Sequence, residues 1–227
     1  MIIFSHRGNS KDFKFENTLE GFKHIANLRI NAVEFDVRET KDQELIIIHD
    51  GDTKRISNFN FKIKSSIYPD IKKILVKNKY QIPTLKSFFK LAPNFNLINI
   101  EIKQKNISKK IKNIVDEYLA ENRNFNGEFL ITSTMKNEIN ALKPANKIKL
   151  GRIINFFVIS RLKKNIGSLS VLVINKKWVN QKIVDFCHLN GLNVYVYTVN
   201  KTSEFESLKK LGIDGIYSDL PDFFDYK

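Results

Sequence analysis

Two short alternations hold the residues with the most chemistry to offer. In Val33-Glu34-Phe35-Asp36-Val37 and Ile100-Glu101-Ile102-Lys103, charged side chains are separated by single apolar ones. Side chains of a strand point alternately to its two faces. Glu34 and Asp36 therefore share one face, Glu101 and Lys103 share one face of a second strand, and the apolar spacers take the opposite faces. Three carboxylates brought together without compensation would cost several kcal/mol each. Arg7 and Lys103 supply part of that compensation. A hard divalent cation, Mg²⁺ or Ca²⁺, suits the rest, because carboxylate oxygens are the ligands such ions prefer. Two histidines complete the set, His6 in His6-Arg7-Gly8 and His49 in His49-Asp50. An unperturbed imidazole titrates near neutrality, so one ring can accept a proton while the other donates one. A phosphodiester uses every member of this set. Its charge needs the metal, Arg7 and Lys103, its attacking group needs a base, and its leaving alkoxide needs an acid. The alternative is an interior salt-bridge network without catalysis. His24 and His188 fall inside helical segments and are assigned structural roles.

These residues need a frame that brings them to one place. Eight short apolar runs recur along the chain: Ile2–His6, Ala32–Val37, Leu97–Lys103, Glu128–Ser133, Lys149–Ile154, Val171–Asn175, Val194–Val199 and Gly215–Ser218. Helical spacing fills the gaps. Leu19, Phe22, Ile25 and Ala26 fit one helix, with Asn17 and Glu20 placed like a capping box. Ile111, Ile114, Val115, Tyr118 and Leu119 give an i, i+3, i+4, i+7, i+8 stripe. A further stripe, Val179, Ile183, Phe186 and Cys187, is stopped by Gly191, and a last one starts at Ser203/Glu206 and stops at Gly212. Helices are also expected near 136–143 and 157–165. Alternating strands and helices predict a parallel sheet, and eight strands in that alternation predict a (β/α)₈ TIM barrel. A ninth run, Leu45–His49, follows the second strand after about seven polar residues, too few for the dozen or more of a parallel crossover. It must return as an antiparallel hairpin partner, with His49 at the end where the second strand finishes. Residues 51–96 then form a long insertion before the third strand, its clearest element a short helix after Pro83-Thr84. Barrel enzymes work at the C-terminal ends of their strands, where all the charged residues above would meet.

The 227 residues, 42% of them apolar and 18 of them Phe, suffice for one domain spanning 1–227, with no repeat or flexible linker. No stretch of 18 apolar residues predicts a transmembrane helix. The N-terminus lacks a basic region and a cleavage site, and the single Cys187 excludes an internal disulfide, so a reducing, cytoplasmic setting is expected. The net charge of +14, from 38 basic and 24 acidic residues, is spread over every segment as Lys. No Arg-rich stripe or basic run interleaved with aromatics marks a nucleic-acid partner. The charge suits collection of a small anionic substrate, and is compatible with peripheral contact with an anionic membrane.

At these residues the chain resembles the glycerophosphodiester phosphodiesterase family over nearly its full length. His6-Arg7-Gly8 with Glu16-Asn17-Thr18 is similar to the family's opening motif, and Glu34-Phe35-Asp36-Val37 through Thr40, Asp42 and His49-Asp50 to its second. Pro83-Thr84-Leu85, Glu101-Ile102-Lys103, Thr198-Val199-Asn200 and Asp214-Gly215-Ile216 with Asp219 and Pro221 match later landmarks. The resemblance implies Glu34, Asp36 and Glu101 as ligands of one divalent cation. It also implies His6 and His49 as general acid and base, and Arg7 and Lys103 as phosphate contacts. The implied reaction cleaves glycerophosphodiesters to glycerol 3-phosphate and an alcohol, a neighbouring glycerol hydroxyl attacking first. Phe15 departs from the family's usual Pro, Thr132-Ser133-Thr134 from a Ser-Ser-Phe run, and Tyr197 from a Trp. The last two positions are expected to line the substrate pocket. Two other readings stand beside this one. A lysophospholipase D-like enzyme would need an apolar lip, for which Phe13, Phe15, Phe59 and Phe61 are candidates. A non-catalytic barrel binding a phosphorylated ligand has only the basic charge in its favour.

Overall fold

The computed structural model describes residues 1–154 and 166–224. Its main sheet closes on itself. Eight strands run parallel: β1 (Ile2–His6), β2 (Ala32–Glu39), β6 (Leu97–Ile102), β7 (Glu128–Ser133), β8 (Ile148–Ile154), β9 (Val171–Asn175), β10 (Asn193–Tyr197) and β11 (Gly215–Ser218). Each pairs with the next, and β1 pairs with both β11 and β2, so the ring has no open edge. The short β3 (Leu45–Ile47) lies antiparallel on β2, with Val37 opposite Ile47 and Glu39 opposite Leu45. The chain is an α/β barrel with the hairpin strand expected from the short polar connection.

The alternating strand residues divide the core. The spacers Val33, Phe35, Val37, Ile100 and Ile102 point outward, onto α1 (Leu19–Asn27) and α4 (Ser108–Glu121) through Phe22, Ile25, Ile111 and Val115. A second outer cluster joins β9–β11 to α6 (Gln181–Leu189) and α7 (Thr202–Lys210). The barrel interior is filled by Phe4, Tyr195 and Tyr217 with aliphatic neighbours, the Phe4 and Tyr217 rings stacking at 4.7 Å. The insertion builds a separate core of its own. It holds α2 (Tyr68–Ile71), the two-stranded β4 (Leu75–Val76) and β5 (Tyr80–Gln81), and α3 (Leu85–Phe88), the expected helix after Pro83-Thr84, where the Thr84 hydroxyl accepts from Ser87 N–H. Ile56, Ile63, Ile71 and Ile82 pack there against Ile46 and Ile48. Leu45 and Ile47 face the barrel core instead.

Several helix starts differ from expectation. α1 is capped by Thr18, whose hydroxyl accepts from Gly21 N–H, and not by Asn17. α7 begins at Thr202 after Lys201, without a side-chain cap. The helix expected near 136–143 is α5, Lys136–Asn140. The one expected near 157–165 lies outside the described residues. Among the described residues no helix is long and apolar enough to cross a membrane. His24 stacks on Phe13, and His188 bonds Asp214 at 2.9 Å; neither lines the cavity that His6 and His49 share.

α4 has a cap that comes from outside its own sequence. Its N-cap, Ile107, offers no side-chain bond. The buried Glu138 carboxylate accepts instead from Asn106, Ile107 and Ser108 N–H at 2.7–3.2 Å. Burial opposes the charge, but these donors outweigh it and hold the Glu138 pKa below the usual carboxylate range. Glu138→Ala orphans three backbone donors, two of them on the buried Ile107 and Ser108, so the free energy of urea unfolding at pH 7 is expected to fall by about 2 kcal/mol. A carboxylate with a depressed folded pKa stabilises above its unfolded value and loses that contribution as pH falls through the folded one. The deficit should therefore shrink in acid, and equal stability of the two proteins at pH 7 would exclude this cap.

Candidate active site

Strand register brings the charged residues together. His6 pairs with Glu34 across β1 and β2, and Asp36 pairs with Glu101 across β2 and β6. One oxygen each of Glu34, Asp36 and Glu101 lies within 4.8 Å of the others. Glu34 and Asp36 are 2% and 1% exposed, so water offers them little. Beneath them, Thr132 donates to Asn99, and Asn99 donates to the Tyr217 hydroxyl, a polar layer that closes the floor. Burial first, and the Asp36 charge second, push the Glu34 carboxyl up to about 8. The same two causes raise Glu101. Glu34 Oε1 is buried without a hydrogen-bond partner. An unpartnered buried oxygen in a cluster of three carboxylates is what a hard divalent cation satisfies, so the residues present fit such an ion.

The two cations of the cluster are held in place. Lys103 Nζ lies 2.8 Å from Glu101 and 3.6 Å from Asp36. Arg7 Nε lies 3.3 Å from Asp36, and its Nη1 donates to Glu16 at 3.0 Å. Arg7 adopts a left-handed φ of 58°, which aims its backbone N–H at Glu34 Oε2 at 3.1 Å. That conformation is costly for a residue with a Cβ, and costs of this kind gather at functional sites. Gly8 follows at φ 72°, with an added Cβ only 2.7 Å from the Phe22 ring. The turn therefore requires glycine at Gly8.

Each histidine has its own carboxylate. His6 Nδ1 bonds Asp219 at 2.7 Å, and His49 Nδ1 bonds Asp50 at 2.7 Å. Both rings line the same cavity, with Nδ1 already engaged. For His6, burial disfavours the charged form, but the Asp219 bond and the Glu34 charge outweigh it, and the pKa rises. For His49, burial together with the nearby Arg7 and Lys103 charges outweighs Asp36 and Asp50, and the pKa falls. Although burial opposes it, the bond from His6 holds the Asp219 carboxyl down to about 2.

Several partners had no assigned role at the level of sequence. Asn17, also at a left-handed φ of 58°, donates from Nδ2 to Asp36 at 3.0 Å; the residue that looked like a helix cap belongs to the carboxylate cluster. Arg55, from the insertion, donates to both oxygens of Glu16 at 2.7 Å and to Asp50 at 2.6 Å. A continuous chain of ion pairs thus runs from His49 through Asp50, Arg55, Glu16 and Arg7 to Asp36. Asn200 donates to Asp219 at 2.9 Å. His6-Arg7-Gly8, Glu16-Asn17-Thr18, His49-Asp50 and Asp219 all stood in the quoted motifs, and the orienting roles follow from the fold.

The cavity at the mouth is about 240 Å³. His6, Arg7, Glu34, His49, Glu101 and Lys103 line its charged side, with Tyr197 and Thr134 also on its wall. Ser133 instead donates to the Ile102 carbonyl and serves the sheet. Phe13 and Phe15 pack on each other at 5.0 Å and both contact Tyr80, while Phe61 packs on the insertion core; Phe59 is 63% exposed.

The model of the glycerophosphoryl diester phosphodiesterase family matches residues 6–223. A glycerophosphodiester phosphodiesterase from Caldanaerobacter subterraneus subsp. tengcongensis is 29% identical, over 97% of this chain and 95% of its own. A lysophospholipase D from Homo sapiens is 26% identical, over 96% of this chain and 82% of its own. Among solved structures, a phosphodiesterase from Oleispira antarctica in complex with the product sn-glycerol-3-phosphate matches with a TM-score of 0.86 at 21% identity, covering 98% of this chain and 94% of that one, a likeness of fold.

Proposed function

The chain belongs to the glycerophosphoryl diester phosphodiesterase family, and on that premise we propose that it hydrolyses glycerophosphodiesters to glycerol 3-phosphate and an alcohol with one divalent cation and a His6/His49 proton-transfer pair. The observation that carries this reading is the meeting of three carboxylates, two cations and two carboxylate-held imidazoles around one cavity. Glu34, Asp36 and Glu101 would hold the ion, Mg²⁺ or Ca²⁺, which supplies positive charge where negative charge accumulates in the transition state. Arg7 and Lys103 face the same space and would bind the phosphoryl oxygens. With Nδ1 held by Asp219 or Asp50, each histidine would present Nε2 to the substrate, that of His6 from a position 3.9 Å from Glu34 Oε2. One ring takes the proton of the attacking hydroxyl as the new P–O bond forms. The other protonates the departing alkoxide as the old P–O bond breaks, which leaves a cyclic phosphate; with the two proton roles exchanged, water then opens that ring to glycerol 3-phosphate. The opposite pKa directions of the two rings suit such a division. Tyr197 would pack against the glycerol arm.

A water-soluble diester is favoured over a lysophospholipid. Phe13 and Phe15, which could have held an acyl chain, are already engaged with each other and with Tyr80. Glycerophosphodiesters and a lysophospholipid with the same head group, assayed with Mg²⁺, Ca²⁺ and Mn²⁺ for release of the head-group alcohol, test both points. The soluble diesters should turn over at least about tenfold faster by kcat/KM. Cleavage of neither class would sink the proposal, and faster cleavage of the lysophospholipid would reverse the preference.

A further inference from the structure

A second cavity, of about 390 Å³, lies against the first. His6 and Arg7 line both and form the partition between them. A phosphodiester is two ester arms joined at one phosphate. With the phosphate at the partition, one arm enters each cavity. The first cavity holds the carboxylate cluster and an aromatic wall. The second is lined by Asn9, Lys14, Glu16, Lys77, Asn200 and Asp219, and its charges are unequally committed. Glu16 is taken by Arg7 and Arg55, and Asp219 by His6 and Asn200. Among the described residues, neither Lys14 nor Lys77 makes an ion pair. Lys77 is steered inward from the insertion: its Nζ donates one proton to the Lys14 carbonyl at 2.9 Å and sits 5.8 Å from the Phe15 ring centre. Its other two protons remain. Asn9 is 9% exposed, and its Oδ1 is buried without a hydrogen-bond partner. The free groups are thus two ammonium ions and one amide acceptor, the complement of a carboxylate and an ammonium on one small molecule.

We propose that the second cavity seats the leaving head group and selects one carrying a carboxylate beside an amine, as in a serine-type head group. This rests on the reading of the protein as a glycerophosphodiester phosphodiesterase. The carboxylate lies between Lys14 and Lys77, and the amine donates to Asn9 Oδ1. A quaternary ammonium head group has no proton for Asn9 and meets two like charges.

Glycerophosphoserine and glycerophosphoethanolamine differ by that carboxylate alone, so their kcat/KM ratio on the metal-loaded enzyme reads the site directly. At low salt the serine diester is expected to be favoured about five- to tenfold, the range that two solvent-screened ion pairs supply. The ratio should fall with ionic strength. It should drop to about one in Lys14→Ala/Lys77→Ala, and invert in Lys14→Glu. A wild-type ratio of one or below overturns the proposal, as does a preference that survives both variants. Failure to cleave either diester overturns the assigned activity instead, so the two failures are distinguishable.

Discussion

Replacing His49 with alanine is expected to lower kcat for glycerophosphodiester hydrolysis by about 10²–10⁴-fold, the usual worth of a positioned proton-transfer group. His6→Ala should have a loss of the same order. Both proteins should remain folded. The His49 side chain is 29% exposed and bonds Asp50, and His6 is a strand-end residue whose ring faces the cavity. Losing one part-buried bond to a carboxylate should cost each protein about 1–2 kcal/mol, too little to unfold the barrel. Because the two rings act on one reaction, the double variant should lose little more than the worse single one. Asp50→Asn and Asp219→Asn, which keep the rings but weaken their orientation, should fall in between. The measurement is kcat at saturating substrate alongside thermal melting. Turnover by His49→Ala or His6→Ala within threefold of the parent would remove that ring from the mechanism.

The second large effect concerns the carboxylates. Chelation should abolish activity, and Mg²⁺ or Ca²⁺ should restore it. A linked effect is expected on stability, with a definite sign. In the metal-free protein the Glu34 pKa stands at about 8, above its unfolded value, because burial and the Asp36 charge disfavour its ionised form. A group whose folded pKa is raised stabilises the fold while protonated, and that contribution is lost as pH rises through the folded value. The metal-free protein should therefore lose stability between about pH 5 and 8. A bound cation compensates the ionised cluster, so the difference in Tm between metal-loaded and metal-free protein should widen over the same interval. Asp36→Asn should abolish both activity and this widening. Activity indifferent to chelation, or a Tm difference independent of pH, would remove the ion from Glu34, Asp36 and Glu101.

The legible part of the fold was the part with a short repeat. Val33 to Val37 and Ile100 to Lys103 alternate with the two-residue period of a strand, so the face each side chain takes could be read directly. The hairpin return of His49 was also readable, because the polar connection before Leu45 is too short for any crossover. Contacts that bridge distant segments leave no such local trace. Asn17 has the spacing of a cap, yet its side chain goes to Asp36, while Thr18 beside it does the capping. Asp219 meets His6 from 213 positions away, and Arg55 meets Glu16 from 39 away. α4 is capped by Glu138, thirty residues downstream of the donor in Ser108. In each case a polar side chain is satisfied by whatever the closed barrel places beside it.

The short strand β3 has a divided allegiance. Leu45 and Ile47 are packed into the barrel core, Ile46 and Ile48 into the core of the insertion, and His49 follows directly. The insertion core is the smaller one, built from a short set of aliphatic side chains where the barrel's outer cluster joins many more. Native proteins open in cooperative pieces, the smallest and least buried first. If the insertion opens as such a piece, Asp50 and Arg55 leave the mouth with it and His49 loses its backing, while Glu34, Asp36 and Glu101 stay on strands of the intact ring. The molecule would then have a dormant form in which the barrel is whole and the carboxylates are in place, but one of its two proton carriers has gone. Catalytic competence and global folding would become separate thresholds on the temperature axis, the first set by a handful of isoleucines that touch no substrate.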